Sequence, residues 1–205
     1  MKLLRFILLI LAIVSGTALR QIENVEYDTE KQNKSFNQAD TIRAQIEIEI
    51  ESAGKKRLAK LFDRIKTGDK LRVYIKPKKD CIVWVIVENE NGIELVNSSV
   101  VLENRLNILP SRLSDYEVDG KNNYEKFIFI FALGRDSHLI NSSYDNVRLK
   151  NTVAEVKKQS EIVIAEEGDE LIDISGNVRD PYLVSKKMYM GINYLTVEFH
   201  FDVKK

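Results

Sequence analysis

Residues 71–96 read LRVYIKPKKDCIVWVIVENENGIELV, and three features of this stretch decide the fold class. Residues 71–76 alternate apolar and polar side chains, which predicts a strand, and Pro77 ends it because proline cannot donate to a ladder. Residues 81–87 are continuously apolar, which is typical of a central strand covered on both faces. Asn91-Gly92 is a strong hairpin dipeptide, so the chain is expected to turn there and return over 93–96.

Further strand patterns lie on both sides of this stretch. Residues 127–132 (FIFIFA) predict a second strand that is apolar on both faces. Residues 46–51 alternate Ile and Glu, which predicts a strand with one apolar and one acidic face. Apolar residues at every second position from Leu195 to Val203 predict a terminal strand. Shorter or weaker candidates lie at 106–109, 162–164 and 171–174.

Helical patterns are few. Leu149, Val153 and Val156 have helical spacing and predict a helix within 145–159. Residues 55–65 allow either a short helix or a turn followed by a strand, and residues 111–124 are polar and predict a long loop. Short strands separated by turns, with one or two short helices, predict a mainly β, β-sandwich-like domain.

The first 18 residues, MKLLRFILLILAIVSGTA, have the pattern of a signal peptide. Lys2 and Arg5 precede an apolar run, and Gly16 and Ala18 occupy the minus-three and minus-one positions of a cleavage site. The alternative is an uncleaved anchor, but the apolar run of about 12 residues is shorter than the roughly 20 that span a bilayer. We therefore expect an exported protein, periplasmic or extracellular, without a transmembrane helix after cleavage.

Three segments follow from these patterns. Residues 1–18 are the signal peptide, 19–40 are a polar leader without an apolar period, and 41–205 are a single β-rich domain. The whole chain has 31 basic and 31 acidic residues, and loss of Lys2 and Arg5 leaves 29 basic residues. This balance argues against a nucleic-acid partner, which would need a concentrated basic surface.

The order of the motifs in 65–135 resembles the bacterial domain-of-unknown-function family numbered 4384. A Gly68-Asp69 turn opens an alternating strand, Trp84 takes the aromatic place on the next strand, Leu109-Pro110 follows, and Glu125 precedes FIFIFA. The chain departs from the family in reading IELVNSS after Gly92 and in lacking an aromatic residue at position 81. The resemblance implies an exported or modular bacterial protein and no established catalytic residues.

Two groups of residues could support a hydrolase. Glu198, His200 and Asp202 project from one side of a strand, but the ends of that set lie about 13 Å apart, at roughly 3.3 Å per residue. A single metal ion could not be held by all three without other ligands, and a solvated strand face is the simpler interpretation. Asp136 and His138 follow FIFIFA with Ser137 between them, without a Gly-x-Ser-x-Gly elbow. We assign no catalytic residue, metal ligand or cofactor.

Aromatic residues and the lone Cys81 are the remaining candidates. Trp84 could line a ligand groove, although aromatics on such strands usually belong to the core. The run 185–194 (SKKMYMGINY) mixes basic and aromatic residues, as a binding rim would, or forms a turn over the core. Together with Trp84, the candidate binding residues are therefore Tyr182, Tyr189 and Tyr194. Cys81 excludes an internal disulfide framework and is expected to be a buried, inert thiol.

These observations favour a non-catalytic binding or scaffolding module of the cell envelope, with an envelope protein or polymer as its partner. The expected contact regions are exposed strand edges and the loops 88–92 and 111–124, because an open sheet edge presents unpaired backbone groups. The alternative is an envelope hydrolase that uses Asp136 and His138 or the Glu198-His200-Asp202 strand.

Overall fold

A computed structural model describes the backbone of residues 41–173 and 184–205, and the side chains of 41–160 and 188–205. These residues form the following strands in chain order: β1 (Thr41–Ser52), β2 (Lys55–Leu58), β3 (Phe62–Lys66), β4 (Lys70–Pro77), β5 (Cys81–Asn89), β6 (Gly92–Val101), β7 (Asn107–Leu109), β8 (Tyr116–Glu117), β9 (Tyr124–Ala132), β10 (Glu161–Asp173), β11 (Val184–Ile192) and β12 (Tyr194–Lys204). Between β9 and β10 the chain forms a 3-10 turn, Gly134–Asp136, and the helix α1 (Asn146–Gln159).

The strands form two sheets. The first has the order β10-β11-β1-β4-β7, with β2 also paired to β1 and β8 to β4. The second has the order β3-β12-β9-β5-β6, in which β3 and β12 are parallel and the other pairs are antiparallel. Apolar residues of both sheets form one core. The domain is therefore a mainly β, sandwich-like fold with one short helix among the described residues.

The two strands predicted to be apolar on both faces lie side by side in the second sheet. On β9, Phe127, Phe129 and Phe131 enter the core between the sheets. Ile128, Ile130 and Ala132 project from the opposite face and join a second buried cluster beneath α1. β5 has the same division, with Cys81, Val83 and Val85 in the core and Trp84 and Ile86 in the helix-side cluster. The continuous apolar patterns therefore arise because both faces of this sheet are covered.

Helix α1 has the position that the sequence predicted within 145–159. Asp145 caps its first turn, because its carboxylate accepts a hydrogen bond from the Arg148 backbone N–H at 2.8 Å. Leu149, Val153 and Val156 are buried against the second sheet. The spacing of three apolar residues thus identifies both the helix and the face that it packs.

The remaining segments resolve the alternatives that the sequence left open. Residues 55–65 form a strand, a turn and a second strand, rather than a helix. The weak candidates at 162–164 and 171–174 belong to one strand, β10, whose pairing with β11 is irregular between these segments. Residues 185–192 lie in β11 rather than in a turn. A turn follows at Asn193, which has a positive φ of 63°. The predicted signal peptide, the leader and Tyr182 lie outside the described residues.

Candidate interaction surface

Two of the aromatic residues predicted to bind a ligand are buried. Trp84 is 1% exposed in the cluster beneath α1, and Tyr189 is 8% exposed in the core between the sheets. Tyr194 is half-buried beside the helix-side cluster. Trp84 and Tyr189 therefore contribute apolar area to the fold and offer no open ring face to a ligand. Tyr182 cannot be placed, since it is outside the described residues.

Asp136 and His138 lie at the end of β9 without the arrangement that acyl transfer needs. Asp136 ends the 3-10 turn and has Arg135 as its ion-pair partner, with 3.5 Å between Nε and Oδ2. Ser137 and His138 are both exposed. In the part of the chain that the structure describes, His138 has no hydrogen bond to Asp136 or Ser137. A base that is not oriented by an acid and does not contact its nucleophile is not a catalytic triad.

The Glu198-His200-Asp202 strand face contains ordinary surface interactions. Glu198 forms an ion pair with Lys157 of α1, and His200 Nε2 lies 3.4 Å from Glu198 Oε2. The His200 ring stacks on Phe62 of β3, with 4.8 Å between the ring centroids. These contacts attach the helix and the edge strand to β12. Among the described residues, no group of three or more His, Cys, Asp or Glu side chains could hold a metal ion.

The two candidate hydrolase sites are also far apart. In the pairing of β12 with β9, Tyr194 lies opposite Ala132, the last residue of β9. Asp136 and His138 follow shortly after that residue. His200 lies six residues further along β12, which is about 20 Å at roughly 3.3 Å per residue. The chain's two histidines therefore cannot act on one substrate atom.

Cys81 has the environment of an inert thiol. It is 2% exposed at the start of β5 and lies in the core between the sheets. Burial, reinforced by the nearby charge of Asp80, raises the pKa of the thiol to about 12. The nucleophilic thiolate is therefore disfavoured at neutral pH.

The loops expected to contact a partner are held to each other. Glu90 in the β5–β6 turn accepts hydrogen bonds from the Asn123 backbone N–H at 2.6 Å and from its side-chain amide at 2.9 Å. Asn91 donates to the side chain of Asn122 at 2.6 Å. The segment 111–124 is interrupted by the two-residue strand β8 and is also attached to β4 through the Arg72–Asp115 ion pair at 2.6 Å. Both loops therefore support the end of the sandwich.

The acidic face of β1 is buried, which the alternating pattern did not show. Gln45, Glu47 and Glu49 are all less than 8% exposed. Glu49 is paired with Lys56 of β2, with 2.8 Å between Nζ and Oε1. Burial, together with the charge of Glu49, raises the pKa of Tyr74 to about 12. This face is thus a buried polar layer on the first sheet, and not a solvated strand surface.

The sheet edges differ greatly in length and charge. β7 and β8 have three and two residues, and β2 has four, of which three are basic. β3 has five residues (FDRIK), three of them charged. β10 is long, but its sequence EIVIAEEGDELID contains six acids. Short strands and charged side chains are the means by which proteins prevent unwanted strand pairing, so each of these edges is protected.

β6 is the exception. It has ten residues, GIELVNSSVV, and Glu94 is its sole charged residue. Among the described strands it pairs with β5 alone, so its other side is an open edge. Val96 and Val100 are 37% and 65% exposed, and Leu102 beyond the strand is 39% exposed. We call the segment 95–102 (LVNSSVVL) the β6 edge; it combines an open ladder with apolar side chains and has no charge or proline.

The sequence contained a signal for this edge, but it was incomplete. The predicted return strand was 93–96, whereas β6 continues to Val101. The pairing with β5 is irregular between Val85 and Ile86, and Val96 is the additional residue on β6. A bulge shifts the alternation of side chains by one residue, so the apolar pattern does not continue in register. The uncharged composition of 95–102 was the feature that could have identified the edge.

Comparisons with protein families, curated proteins and solved structures found no match to this chain. The resemblance to the family numbered 4384 therefore stays a prediction. Within residues 41–173 and 184–205, no helix has the length and apolar character needed to cross a bilayer.

Proposed function

We propose that this chain is an exported binding or scaffolding module of the cell envelope, and that it acts by pairing the β6 edge with an extended strand of a protein partner. The observation that carries the proposal is the contrast between β6 and the other edges. β6 alone among the described edges is a ten-residue strand, with a bulge at Val96, that carries a single charge. An added strand would gain main-chain hydrogen bonds along this ladder and side-chain contacts with Val96 and Val100.

The hydrolase alternative has less support. His138 has no orienting acid among the described residues, and His200 is engaged with Phe62 and Glu198. A binding site for an envelope polymer would need a platform of exposed aromatic rings. Trp84 and Tyr189 are buried, and the exposed Phe62 and Tyr124 lie on β3 and β9, which β12 separates. An extended protein segment therefore fits the described surface better than a polymer does.

Export and binding are tested with the full chain carrying a C-terminal tag in a bacterial host. The proposal expects the product in the periplasmic or extracellular fraction, with Leu19 as its first residue. Cross-linking to envelope components should then retain a defined protein. A product that stays in the cytoplasm with its first 18 residues intact would refute export.

The contribution of the β6 edge is tested with two matched variants. Val100→Lys places a charge on the β6 edge, and Val147→Lys places the same charge on α1 at a residue of similar exposure, 69%. We expect Val100→Lys to lose the retained protein and Val147→Lys to keep it, because charge on an edge strand opposes strand addition. Equal retention by both variants would refute the assignment of β6.

A further inference from the structure

We infer that the strand added to the β6 edge is β6 of a second copy, so that the protein forms a twofold-symmetric dimer through this edge. The inference rests on the proposed role of β6 and names its partner. It is motivated by the near-palindromic sequence of residues 96–100, VNSSV. In an antiparallel pair centred on Ser98, every residue of this segment meets a residue of similar chemistry.

The pairing follows from the symmetry. A twofold axis at Ser98 places Val96 of one copy opposite Val100 of the other, and Asn97 opposite Ser99. Such an interface is isologous, because the same patch contributes from both copies. The two exposed valines then cover each other as cross-strand neighbours, a pair that stabilises antiparallel sheets.

The polar residues on the other face of β6 are also compatible with this register. Asn97 and Ser99 are half-buried, and the Ser99 hydroxyl donates to Asn97 Oδ1 at 2.6 Å within one copy. Across the axis each Asn97 would lie opposite a Ser99, so the same amide and hydroxyl groups could exchange hydrogen bonds between copies. The polar contacts within one copy thus have equivalent partners in the dimer.

The charge on β6 does not oppose pairing with a second copy. Glu94 is the sole charged residue of β6. In the proposed register it lies opposite Leu102 of the second copy, which is eight residues along the chain from the Glu94 of that copy. Like charges therefore do not face each other across the axis. The dimer would join the two five-stranded sheets into one continuous sheet of ten strands.

The bulge at Val96 limits the regular part of the interface. Pairing over roughly five residues buries less area than the standard protein–protein interface of about 1,600 Å². We therefore expect a weak dimer that dissociates on dilution, rather than an obligate one.

Cysteine cross-linking tests the register directly, because the native Cys81 is 2% exposed and does not compete. The variants are made in the full chain: Ser98→Cys, Val96→Cys, Val100→Cys and, as a surface control, Val147→Cys. The axis brings the Cβ atoms of residue 98 in the two copies to about 4.5–5.5 Å, so mild oxidation of Ser98→Cys should yield disulfide-linked dimer. Val96→Cys or Val100→Cys alone should not, since like positions lie about 13 Å apart. A mixture of these two variants should cross-link.

The results separate the dimer from the proposed function. The inference is supported if Ser98→Cys cross-links rapidly and if Val96→Cys cross-links with Val100→Cys only when the two are mixed. It also requires that Val100→Lys is monomeric in light scattering. Cross-linking of Ser98→Cys no faster than Val147→Cys overturns it. If the chain is monomeric and still retains an envelope protein through Val100, the dimer is refuted and the proposed function stands. If the chain is monomeric and Val100→Lys retains the envelope protein as well as the unmodified chain does, both the dimer and the proposed function of the β6 edge are refuted.

Discussion

Ser98 lies directly opposite Trp84 in the β5–β6 ladder, yet Trp84 is buried and Ser98 is exposed. The two side chains belong to the same face of the sheet, because directly paired residues project to the same side. Trp84 is covered by the cluster beneath α1, and on β6 that cluster includes Ile93 and Leu95 but not Ser98. At this position the boundary between core and open edge thus lies between two adjacent strands.

Replacing Trp84 should therefore be far more costly than replacing its neighbour. Trp84→Ala removes a large buried side chain and leaves a cavity, so we expect a loss of about 3–5 kcal/mol in the free energy of unfolding. Ser98→Ala should change it by less than about 0.5 kcal/mol. Denaturant unfolding of both variants measures the difference. Similar losses would show that Trp84 is not part of the packed core.

Cys81 should resist thiol reagents in the folded protein. Its burial and its raised pKa, about 12, leave little accessible thiolate at neutral pH. We expect slow labelling by a maleimide without denaturant and one fast equivalent after unfolding. Fast labelling of the folded chain would contradict the placement of Cys81.

The Asp63 carboxylate should make stability depend on acid pH. Burial opposes its ionisation, but hydrogen bonds from the Arg57 side chain and from the Lys60 and Arg64 backbone N–H groups outweigh this effect and lower its pKa. A carboxylate whose pKa is lower in the folded state stabilises the protein above its unfolded pKa. This contribution disappears as the pH falls through the folded pKa.

The expected result is that Asp63→Asn costs about 1 kcal/mol at neutral pH, the scale of a partly exposed ion pair. The difference from the unmodified chain should begin to shrink below about pH 4, the unfolded pKa. It should disappear once the pH is below the lower pKa of the folded carboxyl. Glu155→Gln, which alters an exposed carboxylate of α1, is the control and should have little effect at either pH. A difference that grows on acidification would contradict the sign of the Asp63 pKa shift.

Proline substitution should separate the two sides of β6. Backbone N–H groups of neighbouring strand residues point in opposite directions, so one of Ser98 and Ser99 donates towards β5 and the other outwards. Of Ser98→Pro and Ser99→Pro, one should lose stability through a missing ladder hydrogen bond. The other should stay close to the unmodified chain in stability but lose partner binding. If the more stable variant still binds, the open edge is not the binding surface.

Much of the fold could be predicted because its central strands are covered on both faces. Residues 81–87 and 127–132 are apolar at every position, and the spacing of Leu149, Val153 and Val156 located the helix that covers one of those faces. Residues 55–65 could not be assigned, since four- and five-residue strands contain too few positions to separate a period of about 2 from one of about 3.6.

The candidate surface was harder to predict than the core. The sequence led to the general expectation that a strand edge binds the partner. It could not identify which strand forms that edge, because the strand order depends on contacts between residues distant in sequence. β6 became distinctive only when it proved to be terminal in its sheet and when β3, β7 and β10 proved to be short or charged. The aromatic residues drew attention because of their chemistry, whereas Trp84 and Tyr189 are used in packing.

Hydrogen exchange of the β6 backbone amides tests the central claim, that the β6 edge is a binding surface, most directly. The exchange of the unmodified chain is compared with that of Val100→Lys under two conditions. In one the protein alone is at high concentration, and in the other the retained envelope protein is added. The account predicts that alternate amides within 95–101, those that point away from β5, are slowed in the unmodified chain and exchange fast in Val100→Lys. Amides that point towards β5 should be protected in both. Identical exchange throughout 95–101 in the two proteins would contradict the account.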